Sequence, residues 1–240
     1  MKNDRDTMSA IQEDQKEAEQ VEEQVIHETQ KTRRIGHAVE ISAEMFLKQG
    51  IDTVKMTDIA EACGVGVATL YRYFGTKTSI SIAAMTFLWK KLRKMYDQVF
   101  ESETFLRQSG IKRLRDLMRM YLVLYDAHSD FMRLVGEFDL MLQSENVPKE
   151  DLVDYDKSII DFYPYIEAAY LAGVKDGTVR SDINFKLFYL TYGHSMLELC
   201  KKLLRGELLP SDDFSAAKEE LAMLAEIATS YLKKEKEHSA

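Results

Sequence analysis

Apolar residues recur at helical spacing along most of the chain, whereas no segment shows the strict alternation that is typical of a half-buried strand. This pattern predicts a helix over residues 33–49, ended by Gly50, and a short helix that Thr57 can cap with its hydroxyl. It also predicts a long helix that begins at Lys77 and is capped by Thr76. The spacing therefore predicts an all-α protein.

Larger amphipathic helices are predicted for the rest of the chain. The helix expected over residues 185–205 is apolar on more than one face, so it needs two packing partners. We expect one face to pack on its own domain and the other on a second chain. The alternative is a central helix that is surrounded by other helices of the same chain. The other helices are expected over about 111–127, from Ser129 or Asp130 to a break at 146–148, over 148–175 with a kink at Pro164, and from about Phe214 to Tyr231.

Residues 56–74 have the pattern of two short helices joined by a tight turn. Ile59 and Ala60 place apolar groups on one face of the first helix, and the small Ala60 allows a close helix crossing. Gly64 lies where the chain must turn, since glycine tolerates a left-handed backbone conformation. In the second helix, Leu70 faces inward. The pattern is typical of a helix-turn-helix, whose second helix is free to enter a DNA major groove.

The segment from about Arg34 to Ile80 resembles the DNA-binding domain of the TetR family of bacterial transcriptional regulators. The matching positions are Ala43, Phe46, Gly50, Asp58-Ile59-Ala60, Gly64-Val65, Thr69-Leu70-Tyr71, Tyr73-Phe74 and Lys77. The resemblance implies an N-terminal three-helix domain that binds DNA and a larger C-terminal helical bundle that binds a ligand and dimerises. We expect these domains at residues 31–78 and 79–240, after a charged extension at residues 1–30.

The candidate DNA-reading residues lie on and around the second helix of this motif. Arg72 is the strongest candidate base reader, because its planar fork can donate to both O6 and N7 of guanine; a phosphate contact is the alternative. Gly66 allows the backbone to approach the duplex closely. Contacts with thymine methyl groups are expected from Val67, Ala68 and Thr69. By the resemblance, phosphate contacts are expected from Tyr71, Tyr73, Lys77 and either Lys55 or Thr57, unless one tyrosine packs in the small core.

The larger domain is rich in aromatic and methionine residues, most of which we expect to form its core. Tyrosines carry hydroxyls that need partners when buried, and several of them suit an apolar pocket with a few polar groups. In TetR regulators such a pocket binds a small effector, which releases the DNA. The resemblance therefore implies a hydrophobic or aromatic effector, for which the candidate contacts are Tyr121, Tyr125, Tyr163, Tyr192 and His194.

The formal net charge of −8 is unusual for a DNA-binding protein, so its distribution matters. Residues 1–30 carry three basic and nine acidic side chains, whereas residues 31–80 carry seven basic and five acidic ones. The positive excess falls on the expected DNA-binding domain. Because the Debye length is about 8 Å at physiological salt, acidic groups far from the duplex barely oppose binding. The charge is compatible with DNA binding but does not by itself argue for it.

The sequence lacks the signals of several other protein classes. No apolar run reaches transmembrane length and the first residues lack an apolar signal core, so we expect a cytoplasmic protein with no membrane partner. Cys63 and Cys200 have no metal-ligand spacing, and no catalytic motif stands out. We therefore expect no metal, cofactor or enzymatic activity.

These features and the resemblance together predict a homodimeric transcriptional regulator that binds a near-palindromic operator in double-stranded DNA. A repressor released by its effector is the default expectation, and an activator of the same fold is an alternative. A helical interaction protein without specific DNA binding is the other alternative. The combination of Arg72, nearby tyrosines and Lys77 argues against it, because a pure scaffold does not need these residues.

Overall fold

The structure is a computed structural model of the chain, and it describes residues 28–159 and 162–235. Throughout these ranges the chain forms helices joined by short loops, with an isolated antiparallel bridge between Val179 and Lys233 and no strand. The all-α prediction is confirmed. The expected N-terminal extension lies outside the described residues except for residues 28–30, which are helical.

Three helices form the N-terminal unit, which we call the head. They are α1 (residues 28–49), α2 (Met56–Ala62) and α3 (Val67–Phe74). The head is followed by α4 (Lys77–Phe100), α5 (Glu103–Leu106), α6 (Gly110–Met118), α7 (Met120–Ala127) and α8 (Ser129–Ser144). After a 3-10 turn at Lys149–Leu152 come α9 (Val153–Ser158), α10 (Tyr163–Lys175), α11 (Phe185–Arg205) and α12 (Ala217–Leu232).

Two long helices predicted from the sequence are broken in the structure. The segment 111–127 divides at Arg119 into α6 and α7, although the apolar periodicity continues across the break. The segment 148–175 is also not one helix, because Ile159 is extended and α10 begins only at Tyr163. Pro164 stands in the first turn of α10, where its missing N–H costs nothing, so it starts a helix instead of kinking one.

The head has its own small core, and α4 runs from it into the larger bundle. Phe46, Ile59 and Leu70 contribute one buried side chain from each head helix. The Thr76 hydroxyl caps α4 by accepting the Ser79 backbone N–H over 3.0 Å, which confirms the predicted start. Helix α4 has 24 residues, so it spans about 36 Å at 1.5 Å per residue.

The centre of the bundle is aromatic. Trp89 of α4 meets Phe131 of α8 edge to face at a centroid distance of 4.8 Å, and its Nε1 donates to the Tyr155 hydroxyl over 3.3 Å. Phe138 of α8 lies 4.8 Å from the Tyr155 ring and has no exposed surface. Helix α8 is therefore fixed between α4 and α9 by two buried rings.

Helices α11 and α12 form an outer layer of the bundle. Helix α11 has the bounds that the sequence predicts, and the Asn184 side chain caps it by accepting the Leu187 N–H over 3.1 Å. One face of α11 is buried in the chain through residues such as Tyr192 and Met196. Large apolar side chains on α11 and α12 nevertheless remain exposed: Leu187, Leu190, Met223, Ile227 and Tyr231.

Candidate nucleic-acid interface

The turn between α2 and α3 has the geometry that the sequence predicts. Gly64 has a φ of +65°, a left-handed conformation that favours glycine. Its N–H donates to the carbonyl of Glu61 over 3.0 Å, and the Val65 N–H donates to the carbonyl of Ala60 over 3.0 Å. These two bonds form a Schellman motif, which satisfies the last carbonyls of α2 and turns the chain into α3.

The start of α2 differs from the prediction that Thr57 caps it. Helix α2 begins at Met56, and Lys55 occupies the capping position with an extended backbone. The Asp58 carboxylate accepts the Lys55 backbone N–H over 2.9 Å, and the Thr57 hydroxyl donates to the same carboxylate over 3.1 Å. An acidic group in the first turn also interacts favourably with the helix dipole, so α2 starts without a hydroxyl cap.

Helix α3 presents an exposed outer side above a buried anchor. Leu70 has no exposed surface and packs into the core of the head. Among the candidate base-contacting residues Thr69 is half-buried, and the others are exposed: Gly66, Val67, Ala68 and Arg72. The structure therefore brings these candidates together on and next to one short helix, which packs on the head through Leu70.

The two candidate tyrosines of α3 have different environments. Tyr71 is 48% exposed, whereas Tyr73 is half-buried and contacts Phe74 edge to face at 6.5 Å. The Arg72 guanidinium carbon lies 5.7 Å from the centre of the Tyr73 ring, within the range of a cation–π contact. Tyr71 is therefore the freer of the two to reach a phosphate, and Tyr73 supports the Arg72 side chain.

Both candidate lysines lie next to the loop that joins α1 to α2. Lys55 is exposed at the start of α2. Lys77, in the first turn of α4, donates from Nζ to the backbone carbonyl of Asp52 over 3.3 Å. This bond ties α4 to the loop, so Lys77 has a structural partner in addition to its expected phosphate contact.

A basic cleft between α1 and α3 was not predicted from the sequence. It has a volume of about 570 Å³ and is lined by Gln30, Lys31, Arg34, Ile35, Arg72 and Tyr73. Lys31 has a weak, exposed ion pair with Glu28 at 3.4 Å, whereas the guanidinium of Arg34 has no ion-pair partner within the described residues. The cleft places two more cations beside the candidate base reader. Only the helical spacing of Lys31 and Arg34 on α1 signalled this grouping in the sequence.

Three of the five candidate effector residues belong to one aromatic chain. The Tyr121 and Tyr192 rings meet edge to face at 6.1 Å, and the Tyr192 hydroxyl donates to the Met118 carbonyl. Tyr163 lies 6.1 Å from Phe185, its hydroxyl donates to Glu167 over 2.6 Å, and Phe188 completes the row. Burial raises the pKa of both Tyr121 and Tyr192, so both phenols stay protonated at neutral pH.

The other two effector candidates lie apart from this row. Tyr125 lines a groove of about 330 Å³ between α7 and α12, together with Asp126 and Lys218. His194 is exposed on α11. A buried polar group that sequence reasoning missed is the Tyr96 hydroxyl, which has no hydrogen-bond partner in the described part of the chain. The Tyr96 ring packs against Phe100 and Phe162, and burial raises its pKa to about 12.

Neither cysteine has a lowered pKa, and no metal-binding group of residues occurs in the ranges that the structure describes. Burial raises the pKa of Cys63 and, more strongly, that of Cys200 to about 12, so both thiols are protonated at neutral pH. No group of three or more His, Cys, Asp or Glu residues there is close enough to hold a metal ion. None of the helices described is both long and apolar enough to cross a membrane.

The sequence from α1 into α4 matches the family model described as "Bacterial regulatory proteins, tetR family" over residues 39–84. This range includes α2, α3 and the Gly64 turn between them. Its N-terminal unit therefore carries the DNA-binding domain of the TetR family. In the described residues this helix-turn-helix head is followed by a larger helical domain, as in TetR-family proteins.

Two curated relatives match this chain over different lengths. An HTH-type transcriptional regulator of Staphylococcus aureus (strain MRSA252) is 41% identical over 85 residues, which are 34% of this chain and 41% of that protein. The HTH-type transcriptional repressor KstR2 of Rhodococcus jostii (strain RHA1) is 25% identical over 159 residues, 66% of this chain and 74% of KstR2. The chain thus matches less than half of the staphylococcal relative's length.

Solved structures share the TetR fold along most of the chain. FadR of Bacillus subtilis, solved in complex with stearoyl-CoA, has a TM-score of 0.57 and 14% identity, covering 82% of this chain and 98% of FadR. A protein of Saccharomonospora viridis solved with choline has a TM-score of 0.61 and 17% identity, covering 85% of this chain and 100% of its own. At these identities the likeness concerns the fold alone.

Proposed function

We propose that this TetR-family chain is a ligand-responsive repressor that binds a near-palindromic operator as a homodimer and is released by a small apolar or aromatic effector. The observation that carries the DNA-binding part is the exposed outer side of α3, which holds Arg72 and is anchored through the buried Leu70. In this proposal residues 31–78 read DNA, and residues 79–240 bind the effector and the partner chain. The repressor role is supported by the relative KstR2, a transcriptional repressor to which the chain is 25% identical.

In the proposed complex, α3 lies in the major groove. Arg72 donates to a guanine, and the base edges are lined by Val67, Ala68 and Thr69, with Gly66 allowing close approach. Phosphate contacts come from Tyr71, Tyr73, Lys77 and either Lys55 or Thr57. Phosphate contacts fix the position of the protein, whereas the base contacts set the sequence preference.

The proposed homodimer uses the exposed apolar side chains of α11 and α12. Leu187 is 60% exposed and Ile227 is 58% exposed, and both line a groove of about 380 Å³ with Phe188, Leu224 and Tyr231. A contiguous apolar patch of this kind on a single chain usually marks an interface. Two-fold pairing of the same helices would cover both copies of the patch and place two α3 helices on one side of the dimer.

The proposed effector contacts the aromatic residues of the bundle. Tyr121, Tyr163 and Tyr192 offer flat apolar surface with protonated hydroxyls, and Tyr125 and His194 remain candidates beside them. The Tyr96 hydroxyl is a buried donor without a protein partner in the described residues, which suits a ligand with one acceptor atom. FadR and the S. viridis protein, which share the fold, were each solved with a small molecule.

A gel shift on the region upstream of the gene tests the function. We expect a saturable complex with two chains per site that survives an excess of random DNA. If random DNA competes as well as the upstream region itself at every salt concentration, the protein does not recognise this region specifically. That result would favour a helical interaction protein. An effector is then sought among small apolar and aromatic compounds by loss of the shifted band.

Replacing Arg34 by Ala is expected to weaken operator and random DNA binding alike. In the basic cleft the Arg34 guanidinium has no ion-pair partner among the described residues, so it is available to a phosphate beside the site that α3 occupies. Removing one phosphate contact lowers the slope of log affinity against log salt by about 0.9, and a dimer carries two copies of Arg34. Fluorescence anisotropy across a salt series measures this slope.

Arg107→Ala, which removes an arginine from the exposed Arg107–Glu103 pair at α5, is the control. An unchanged slope for Arg34→Ala would contradict the contact.

A further inference from the structure

Helix α8 touches the head directly, so α4 does not act alone as the connection between the head and the bundle. The Glu137 carboxylate accepts the backbone N–H of Ile51 over 3.0 Å, across 86 residues of sequence. Eight residues later, directly after the last turn of α8, the Glu145 carboxylate accepts a hydrogen bond from the Thr78 hydroxyl over 2.9 Å. One bond thus holds the loop after α1, and the other holds the first turn of α4.

Gly50 makes room for the first of these bonds. It has a φ of +81°, and a Cβ built on it would lie 2.8 Å from Oε2 of Glu137. The carboxylate therefore lies against a backbone position that carries no side chain. A negative group near the C-terminal end of α1 is disfavoured by the helix dipole, so the Ile51 N–H is what makes this position favourable for Glu137.

The other side of α8 is fixed in the bundle. Phe138, next to Glu137, is fully buried against Tyr155. Asp139, the next residue, pairs with Lys201 of α11 at 3.2 Å. Consecutive residues of α8 therefore contact the head, the aromatic core and the outer layer. A shift of α8 caused by a change in the core would be passed to Ile51 through one rigid helical turn.

We propose that Glu137 and Glu145 are positioning residues that fix the orientation of the head relative to the bundle and so set the separation of the two recognition helices in the dimer. This inference rests on the proposed function as an operator-binding dimer. Neither glutamate touches DNA in it. Their effect is on which half-site spacing the dimer accepts, not on the affinity of one head for DNA.

One disruptive double variant and two conservative single variants test the proposal. Glu137→Ala combined with Thr78→Val removes both bonds, whereas Glu137→Gln and Glu145→Gln each keep an acceptor oxygen at the same place. The control is Glu150→Ala, which removes an exposed glutamate from the 3-10 turn. Amide hydrogen exchange by NMR reports the Ile51 N–H, and we expect it to exchange about tenfold faster in the double variant and nearly as in the wild type in Glu137→Gln.

The functional readout is selectivity for half-site spacing. Operators are compared with and without two base pairs inserted between the half-sites, a displacement of about 7 Å along the duplex. We expect the wild type to bind the longer operator much more weakly than the original one. In the double variant, the ratio of the two affinities should fall by roughly 2- to 30-fold. Binding to a single half-site and the thermal melting midpoint stay close to those of the Glu150→Ala control.

The outcomes separate this inference from the proposed function. A wild-type protein that shows no operator preference refutes the proposed function, while the exchange of the Ile51 amide still reports whether Glu137 holds the loop. Unchanged exchange and unchanged spacing selectivity in the double variant would overturn the inference. An equal loss of affinity for single half-sites and for full operators would also overturn it. Such a result would mean that the two glutamates only stabilise the head.

Discussion

Leu187→Glu combined with Ile227→Glu is expected to turn the dimer into a monomer and to lower operator affinity about 100-fold or more, as expected when hot-spot residues of an interface are removed. Both side chains are more than half exposed in the single chain, so charging them costs the fold of the monomer little. In a dimer, the same carboxylates would be buried in apolar surroundings without partners, which is strongly unfavourable.

Analytical ultracentrifugation measures the oligomeric state, and a gel shift measures the operator affinity. Leu171→Glu is the matched control, since Leu171 is 59% exposed on α10 and does not line the groove between α11 and α12. The control should remain dimeric and bind the operator normally. If the double variant still sediments as a dimer, the dimer interface does not lie on this face of α11 and α12.

Arg72→Ala is expected to abolish most of the preference for operator over random DNA while leaving binding to random DNA nearly intact. A bidentate arginine–guanine contact contributes about 1–3 kcal/mol of discrimination, and a dimer makes two. The side chain is exposed and contacts Tyr73 only through its guanidinium face, so its loss leaves the core of the head unchanged.

Arg72→Lys separates the two roles open to this residue. A lysine keeps the charge but not the planar fork, so it preserves a phosphate contact and weakens a guanine contact. Selection from a randomised operator library shows which base position loses its preference. If Arg72→Ala weakens binding to operator and random DNA by the same factor, then Arg72 contacts a phosphate and the base reader must be sought elsewhere on α3.

The features predicted correctly from the sequence depend on neighbouring residues. Gly64 and the small Ala60 mark the turn of the head because a left-handed glycine is needed within one turn of the end of α2. Thr76 marks the start of α4 for the same local reason, since its hydroxyl reaches an N–H three residues later. Ala60 and Gly64 are also among the positions on which the resemblance to the TetR family rests, and the match over residues 39–84 bears it out.

The features that the sequence did not reveal depend on distant residues. Arg119 ends α6 in a segment with no nearby glycine or proline, so the sequence offers no local signal for this break. Ile159 follows α9 shortly before Pro164, which was predicted to kink a helix and instead starts one. The contact of Glu137 with Ile51 and the grouping of Arg34 with Arg72 arise only when the chain is folded. The DNA-reading and effector residues themselves remain predictions.

The exposed apolar face of α11 and α12 has a consequence for gene control. If the operator accepts only paired chains, the amount of active species below the dimer dissociation constant grows with the square of the chain concentration. Halving the number of molecules in a cell then lowers the active form fourfold. A face made of a few leucine, isoleucine and tyrosine side chains would thus give the promoter a threshold response to how much of the protein is synthesised.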